Sequence, residues 1–213
     1  MEIIPAIMEK NFEKADIKLG RTLILGPWVQ IDVTDNVFSE GRTFELELLT
    51  KSEWDLNSKL FDLHLLVKEP INWIEKGIFV SANRIIGQVE MMSSREDFVE
   101  KIKESGIEAG LGFDIETEID EIPEETDVVL LMGRKAGFGG EEMDERIWEK
   151  IKKLREIQKN DKYFFRIGVD GGVNKKNIGR LKEAGVDIFY CTSAIFDGEI
   201  ESNYIELKNE IEK

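Results

Sequence analysis

The residues best suited to chemistry are a histidine and two aspartates that lie within or just after apolar runs. His64 is the only histidine of the chain and sits inside the run 61–67, while Asp32 and Asp170 end other apolar runs. A polar ring in a buried strand needs a partner, and taken alone it is more often a satisfied core residue than a ligand. One histidine also limits a metal site to a single imidazole, so carboxylate and amide oxygens would have to supply the other ligands.

The elements that would position these residues alternate regularly along the chain. Strands are predicted over 3–7, 28–33, 61–67, 84–89, 108–112, 127–132, 164–169 and 187–191, and amphipathic helices over 97–105, 141–159, 175–184 and 201–213. Apolar strands separated by helices imply a parallel sheet with right-handed crossovers. Eight such units in 213 residues predict an α/β protein, a single-domain (β/α)8 TIM barrel spanning 1–213. A doubly wound sheet is the alternative, but no G-x-G-x-x-G turn follows the first strand.

In such a barrel the active site gathers at the carboxyl ends of the strands. Alternation along strand two places Gln30 and Asp32 on one face, pointing into the barrel mouth if the residues between them point outward. Asp62 and His64 share a face of strand three in the same way. A lone aspartate at a strand end is usually a cap or turn residue. Asp32 and Asp170 facing a common mouth, with His64 between them in strand order, instead favour a catalytic site.

Two glycine-rich loops follow strands six and seven and predict a phosphate site. Glycine lets backbone N–H groups approach an anion closely. The loops after strands seven and eight are where such barrels commonly bind phosphate. A Gly-Gly pair alone can be only a tight turn, whereas two such loops with nearby hydroxyl groups favour a ligand. The residues predicted to contact phosphate are Gly137, Phe138, Gly139, Gly140, Gly171, Gly172, Thr192 and Ser193.

Composition narrows the class of partner. The net charge of −15 argues against nucleic acid and anionic membranes, but not against a phosphorylated small molecule bound by backbone N–H groups. The single cysteine, Cys191, excludes an internal disulfide and is typical of the reducing cytoplasm. No signal-peptide pattern is present at the amino terminus, so a cytoplasmic location is expected. Oligomeric state is not readable from the sequence, and a homo-oligomer stays open.

With these residues assembled, the chain resembles the ribulose-phosphate 3-epimerase family over nearly its whole length. No single motif is specific, but their joint order is. The matching stretches are IPAI at 4–7, IDVTD at 31–35, LHLLV at 63–67, DVVLLM at 127–132, GFGG at 137–140, VDGGV at 169–173 and SAIF at 193–196.

The resemblance implies a barrel of the ribulose-phosphate-binding type and an epimerase that inverts C3 of a ketopentose 5-phosphate. Asp32 and Asp170 would be the acid and base, working through a metal-stabilised enediolate. Asp32, His64 and Asp170 would hold a divalent ion (Zn, Mn, Co, Fe or Mg), with His64 also at the substrate. Gln30 stands where the family has a further ligand histidine. Because an amide oxygen is a harder and weaker ligand than imidazole, zinc affinity should fall and hard-ion preference rise.

Other departures also cluster at the predicted mouth, and they leave three hypotheses open. Gln88 replaces a family histidine on strand four, and Ala6 replaces a serine. The chain could be a working pentose-phosphate 3-epimerase, a sugar-phosphate epimerase or isomerase with changed substrate or metal dependence, or a phosphosugar-binding protein with weak turnover. Related barrels that decarboxylate phosphosugars carry Asp-x-Lys-x-x-Asp. Strand two here reads Asp32-Val-Thr-Asp35 without the lysine, which argues against that class.

Overall fold

The computed structural model describes residues 1–39, 41–134 and 142–213. Within them, eight parallel strands pair in chain order and close into a barrel, with β8 hydrogen-bonded to β1. The predicted (β/α)8 architecture is therefore confirmed. The strands are β1 (Glu2–Ile7), β2 (Trp28–Thr34), β3 (Leu60–Leu66), β4 (Ala82–Gln88), β5 (Glu108–Phe113), β6 (Val128–Met132), β7 (Arg166–Asp170) and β8 (Ile188–Cys191).

Helices between the strands form the outer layer. Two of them begin after a capping side chain: Asn11 accepts the Lys14 N–H at the start of α1, and Ser94 accepts the Asp97 N–H at the start of α3. None of the helices in the described parts of the chain is long and apolar enough to cross a membrane. The helices are α1 (Phe12–Thr22), α2 (Ile74–Phe79), α3 (Arg95–Glu104), α4 (Arg146–Ile157), α5 (Ile178–Ala184), α6 (Ser193–Phe196) and α7 (Ile200–Glu212).

Strand alternation divides the apolar residues into two layers. The outward residues of β2, which include Ile31 and Val33, join the main core between the sheet and the helices. The inward residues of several strands form a second, smaller cluster inside the barrel: Ile4, Ala6, Ile86, Val128, Leu130, Ile188 and Tyr190. Leu66 and Met132, at the ends of β3 and β6, form a third small apolar cluster. Other inward positions in the carboxyl-terminal halves of β2, β3, β4 and β7 are taken by buried polar side chains.

The amino-terminal end of the barrel is closed by a buried ionic cluster. Arg84 and Asp62 are both fully buried and joined at 2.8 Å, and the Tyr190 hydroxyl donates to the same Asp62 oxygen at 2.6 Å. The Arg84 guanidinium also lies 4.1 Å from the Trp28 ring centroid. Asp62 thus shares the inward face with His64 but belongs to this floor, two residues back along β3.

Candidate active site

Asp32, His64 and Asp170 converge at the carboxyl end of the barrel. Asp32 and His64 are register partners on neighbouring strands, and Asp170 ends β7. One ligand atom from each of the three residues lies within 4.8 Å of the others, and their exposed fractions are 6%, 0% and 8%. The parallel sheet therefore brings together three groups that are far apart in the chain.

Gln30 lies directly between the two aspartates. Its Nε2 donates to Asp32 Oδ1 at 3.0 Å and to Asp170 Oδ2 at 2.7 Å. Its Oε1 is buried and, within the described residues, has no hydrogen-bond partner. A single NH2 group thus joins the two carboxylates, and the amide oxygen is left unsatisfied on the other side.

His64 has a polar neighbour at each ring nitrogen. Nδ1 lies 3.0 Å from Asp32 Oδ1 and 3.7 Å from Asp170 Oδ2, and Nε2 lies 3.2 Å from Gln88 Oε1. Gln88 in turn donates from Nε2 to Glu90 Oε2 at 3.1 Å. Glu90 was not among the residues singled out from the sequence. Glu90 lies two residues after Gln88, just beyond the end of β4. A carboxylate at that spacing could have been predicted to contact the Gln88 side chain.

The electrostatics of the site favour retention of a proton. Burial, followed by the nearby negative charge of Asp32, raises the pKa of Asp170 to about 7. Burial acts to lower the pKa of His64. The hydrogen bond to Asp32 and the charges of both aspartates outweigh it and raise that pKa. Near neutral pH, Asp170 and His64 therefore tend to keep their protons. The same negative surroundings would stabilise a cation.

The donor set fits a divalent cation. Two carboxylates and the Nδ1 of His64 face one another, and carboxylate oxygen with a single imidazole suits Mg, Mn, Fe or Co as well as Zn. A half-turn of the Gln30 amide would exchange Nε2 for the buried, unpartnered Oε1 and supply a further oxygen. The residues present can thus hold an ion with one nitrogen and three oxygen ligands.

The loop after β7 has a defined turn geometry. Gly171 and Gly172 have φ of 98° and 77°, a region that strongly favours glycine. The side-chain amides of Asn174 and Asn177 both donate to the Gly172 carbonyl at 2.9 Å. These two hydrogen bonds fix the orientation of the Gly172 carbonyl within the loop.

At the next strand end, Thr192 follows β8 and Ser193 begins α6. The first N–H groups of a helix have no acceptor inside that helix, so this end of the barrel offers amide donors as well as hydroxyl groups. The other predicted phosphate residues, Gly137, Phe138, Gly139 and Gly140, lie outside the described residues.

Comparison with known proteins decides the family. A model described as "Ribulose-phosphate 3 epimerase family" matches residues 2–196. The chain belongs to the ribulose-phosphate 3-epimerase family. The ribulose-phosphate 3-epimerase of Escherichia coli (strain K12) is 30% identical over 217 residues, covering 99% of this chain and 96% of the relative. That of Treponema pallidum (strain Nichols) is 27% identical over 207 residues, covering 94% and 93%. The resemblance stated from the sequence, to a family of isomerases, is confirmed.

Solved structures support the same fold. The KGPDC of Streptococcus mutans in complex with D-R5P superposes with a TM-score of 0.68 at 14% identity, covering 99% of this chain and 96% of that chain. At this identity the similarity shows the barrel and nothing about the reaction. The epimerase family membership therefore rests on the sequence comparisons.

Proposed function

We propose that this chain interconverts ribulose 5-phosphate and xylulose 5-phosphate by inverting C3. The observation that carries the proposal is the convergence of the Asp32 and Asp170 carboxylates with His64 in one barrel mouth. Inversion requires a base on one face of the substrate and an acid on the other, with the roles exchanged in the reverse direction. Two carboxylates from different sides of the barrel meet that requirement.

Proton transfer is assigned to the two aspartates. In one direction Asp32, as a carboxylate, removes the C3 proton, and Asp170, as the acid, returns a proton to the opposite face. In the other direction Asp170 is the base and Asp32 the acid. Without an ion, burial and the charge of Asp32 raise the pKa of Asp170 to about 7, and a group with a pKa near neutral can both hold and release a proton. Positioned proton transfer contributes about 10²–10⁴-fold to the rate.

A divalent ion would be held by Asp32, His64 and Asp170, with the Gln30 amide oxygen as a further ligand. When bound, such an ion acts as a Lewis acid toward the oxygens that become negatively charged after C3 loses its proton. The phosphate group is assigned to Gly171, Gly172, Thr192 and Ser193, with the 137–140 loop as a further expectation. The single cysteine supports a cytoplasmic location.

The test is an epimerase assay on purified protein, first stripped with a chelator and then supplied separately with Zn, Mn, Co, Mg and Fe(II). We expect turnover to return with at least one ion. Turnover absent with every ion would refute the proposal. Phosphate binding that persists without turnover would instead indicate the phosphosugar-binding alternative.

A metal-independent epimerase is the second candidate, and one observation favours it. The Gln30 NH2 already joins both carboxylates, at 3.0 and 2.7 Å, so the two carboxylates share a hydrogen-bond donor without an ion. Full activity after chelation, with no metal in elemental analysis, would establish this candidate over the first.

A further inference from the structure

The carboxyl ends of β6 and β7 meet closely at the barrel mouth. Met132, the last residue of β6, is the register partner of Asp170. The N–H of the following residue, Gly133, donates to the Asp170 carbonyl at 2.6 Å, and a Cβ on Gly133 would overlap the Gly171 carbonyl oxygen. Glycine is the residue that permits so close an approach of two backbones. The chain that leaves β6 is therefore fixed against the loop that leaves β7.

Arg134 is the next residue along the chain, and its side chain lies along Gly171. The point that a Cβ of Gly171 would occupy is 3.0 Å from Arg134 Cγ and 3.4 Å from Arg134 Nε. Gly171 is buried, whereas Arg134 is partly exposed, so the arginine covers the glycine and still reaches solvent. Its guanidinium, of which Nε is part, therefore lies beside the Gly171–Gly172 loop, to which the substrate phosphate is assigned.

A phosphate group needs positive charge at this end of the barrel. The chain carries a net charge of −15, and the Asp32 and Asp170 carboxylates in the mouth repel a doubly charged ligand. Backbone N–H groups offer only partial charges. Arg134 offers a full positive charge, which acts toward lowering the pKa of Asp170, as expected of a cation close to the mouth.

The chemistry of the guanidinium suits a phosphate. It is planar, stays charged at any physiological pH and carries five N–H donors in a fixed fork. Two of these donors can bind two phosphate oxygens at once, and the remaining donors allow Arg134 to keep a protein partner at the same time.

We propose that Arg134 is a specificity-determining residue whose guanidinium pairs with the substrate phosphate beside the Gly171–Gly172 loop. Recognition then depends on the charge of the phosphate and not only on backbone N–H donors, which favours phosphorylated over unphosphorylated sugars. This assignment rests on the proposed function for the position of the phosphate. A hydrogen bond between charged partners contributes about 10–100-fold to binding.

Calorimetric titration of chelator-treated protein with inorganic phosphate and with ribulose 5-phosphate tests the assignment. Arg134→Met keeps an unbranched side chain over Gly171 but removes the charge, and it should weaken the binding of both ligands about 10–100-fold. Arg134→Lys should lose less, because it keeps the charge but not the fork. Lys176→Met is the control, since it removes an exposed positive charge from the same loop, and its affinities should stay near the wild-type values.

Wild-type affinity in Arg134→Met overturns the proposal. Equal losses in Arg134→Met and Lys176→Met overturn it too, because they would reflect net charge and not a contact. If Arg134→Met does not fold, Arg134→Gln replaces it with the same expected loss.

Steady-state kinetics with the metal restored separates this assignment from the proposed function. Arg134→Met should raise the KM for ribulose 5-phosphate. A loss confined to kcat, with KM and phosphate affinity unchanged, would place the action of Arg134 at Asp170 and overturn the assignment. Wild type that lacks turnover but binds phosphate through Arg134 would refute the proposed function and leave this assignment standing. Wild type that binds neither ligand would refute both.

Discussion

The side-chain amide of Gln30 donates a 2.7 Å hydrogen bond to Asp170 and, from the same nitrogen, a 3.0 Å bond to Asp32. Two buried carboxylates near one another repel, and a donor or cation between them offsets that repulsion. In the family the corresponding position is expected to be a ligand histidine. Gln30 therefore sits where substitution should most directly alter the metal preference of the site.

Replacing Gln30 with histidine should tighten metal binding. Imidazole is a softer and stronger ligand than an amide oxygen, so we expect Zn²⁺ affinity to rise about tenfold or more, or ~1.4 kcal/mol. Calorimetry on chelator-treated Gln30→His and wild type measures the change. Lys152→His, on the exposed face of α4, adds the same imidazole elsewhere. If Gln30→His gains no more affinity than this control, Gln30 is outside the ligand shell.

The metal-free protein should lose stability as pH rises from about 5 to about 8. The folded state holds the Asp170 proton to a pKa of about 7, against an ordinary value of 3.8, so it binds more protons than the unfolded chain in this window. The raised pKa of His64 acts in the same direction, because its stabilisation is complete below 6.5 and is lost as pH rises through the folded-state pKa.

Thermal unfolding of chelator-treated protein at several pH values measures this trend, which has a limiting slope of about 1.4 kcal/mol per pH unit for each proton. Asp170→Asn should flatten the profile, whereas Asp161→Asn, an exposed aspartate, should not. A wild-type profile that stays level or rises across this range contradicts the coupling between the carboxylates.

Several features of the site could be predicted from the sequence. Alternation in β2 correctly placed Ile31 and Val33 toward the helices, and that leaves Gln30 and Asp32 inside the barrel. Every predicted strand bound lies within two residues of the observed one, because apolar runs flanked by polar residues are distinctive. Period-two patterns specify a face of the sheet but not the partner across it.

Partners required the tertiary structure. Asp62 has the same face as His64, yet it pairs with Arg84, because the register of β3 with β4 sets those two side by side. The orientation of the Gln88 amide likewise depends on its hydrogen bond to Glu90. Glu90 in turn accepts a hydrogen bond from the backbone N–H of Asp114, which follows β5. Neither relationship leaves a periodic pattern in the sequence.

One local prediction was wrong in part. The acidic composition of residues 116–126 predicts a short surface helix and a loop, and the structure has turns and irregular chain there without a helix. Lys150 from α4 donates to the carbonyls of Asp114 and Thr117. Those carbonyls are thereby satisfied without a helix, and Pro123 adds a further restriction on the backbone.

Breaking the buried ionic cluster at the barrel floor should strongly destabilise the protein. Arg84→Met leaves Asp62 buried without its cation, and breaking such a pair typically costs about 3–5 kcal/mol. The double variant Arg84→Met/Asp62→Leu should cost less than the sum of the two single changes. Urea unfolding measures these values, with Lys159→Met as the control, since the Lys159–Glu156 pair is 72% and 70% exposed. Equal effects at the two sites would contradict a stabilising role for the cluster.

Gly172→Ala should weaken phosphate binding specifically. Gly172 has φ of 77° and a Cβ there would lie 3.1 Å from the Met143 backbone nitrogen, so the loop has to shift. Gly106 has φ of 71°, and among the described residues beyond its chain neighbours no atom lies within 4 Å of the point that a Cβ would occupy. Both alanine variants should lose about 1–2 kcal/mol of stability from backbone strain.

Only Gly172→Ala should raise the KM for ribulose 5-phosphate, by about tenfold or ~1.4 kcal/mol. Steady-state kinetics on the two variants, alongside urea unfolding, separates strain from ligand contact. Matching KM values in the two variants would remove Gly172 from the phosphate site.

In the proposed reaction, Asp32 and Asp170 transfer the C3 proton on opposite faces of the substrate. The most direct measurement is deuterium incorporation at C3 from heavy water, followed by NMR with ribulose 5-phosphate and with xylulose 5-phosphate. We predict that Asp32→Asn and Asp170→Asn each slow deuterium exchange on at least one epimer by about 10²–10⁴-fold. The control variant Asp161→Asn should exchange at the wild-type rate. Near-normal exchange on both epimers in either site variant would contradict the assignment.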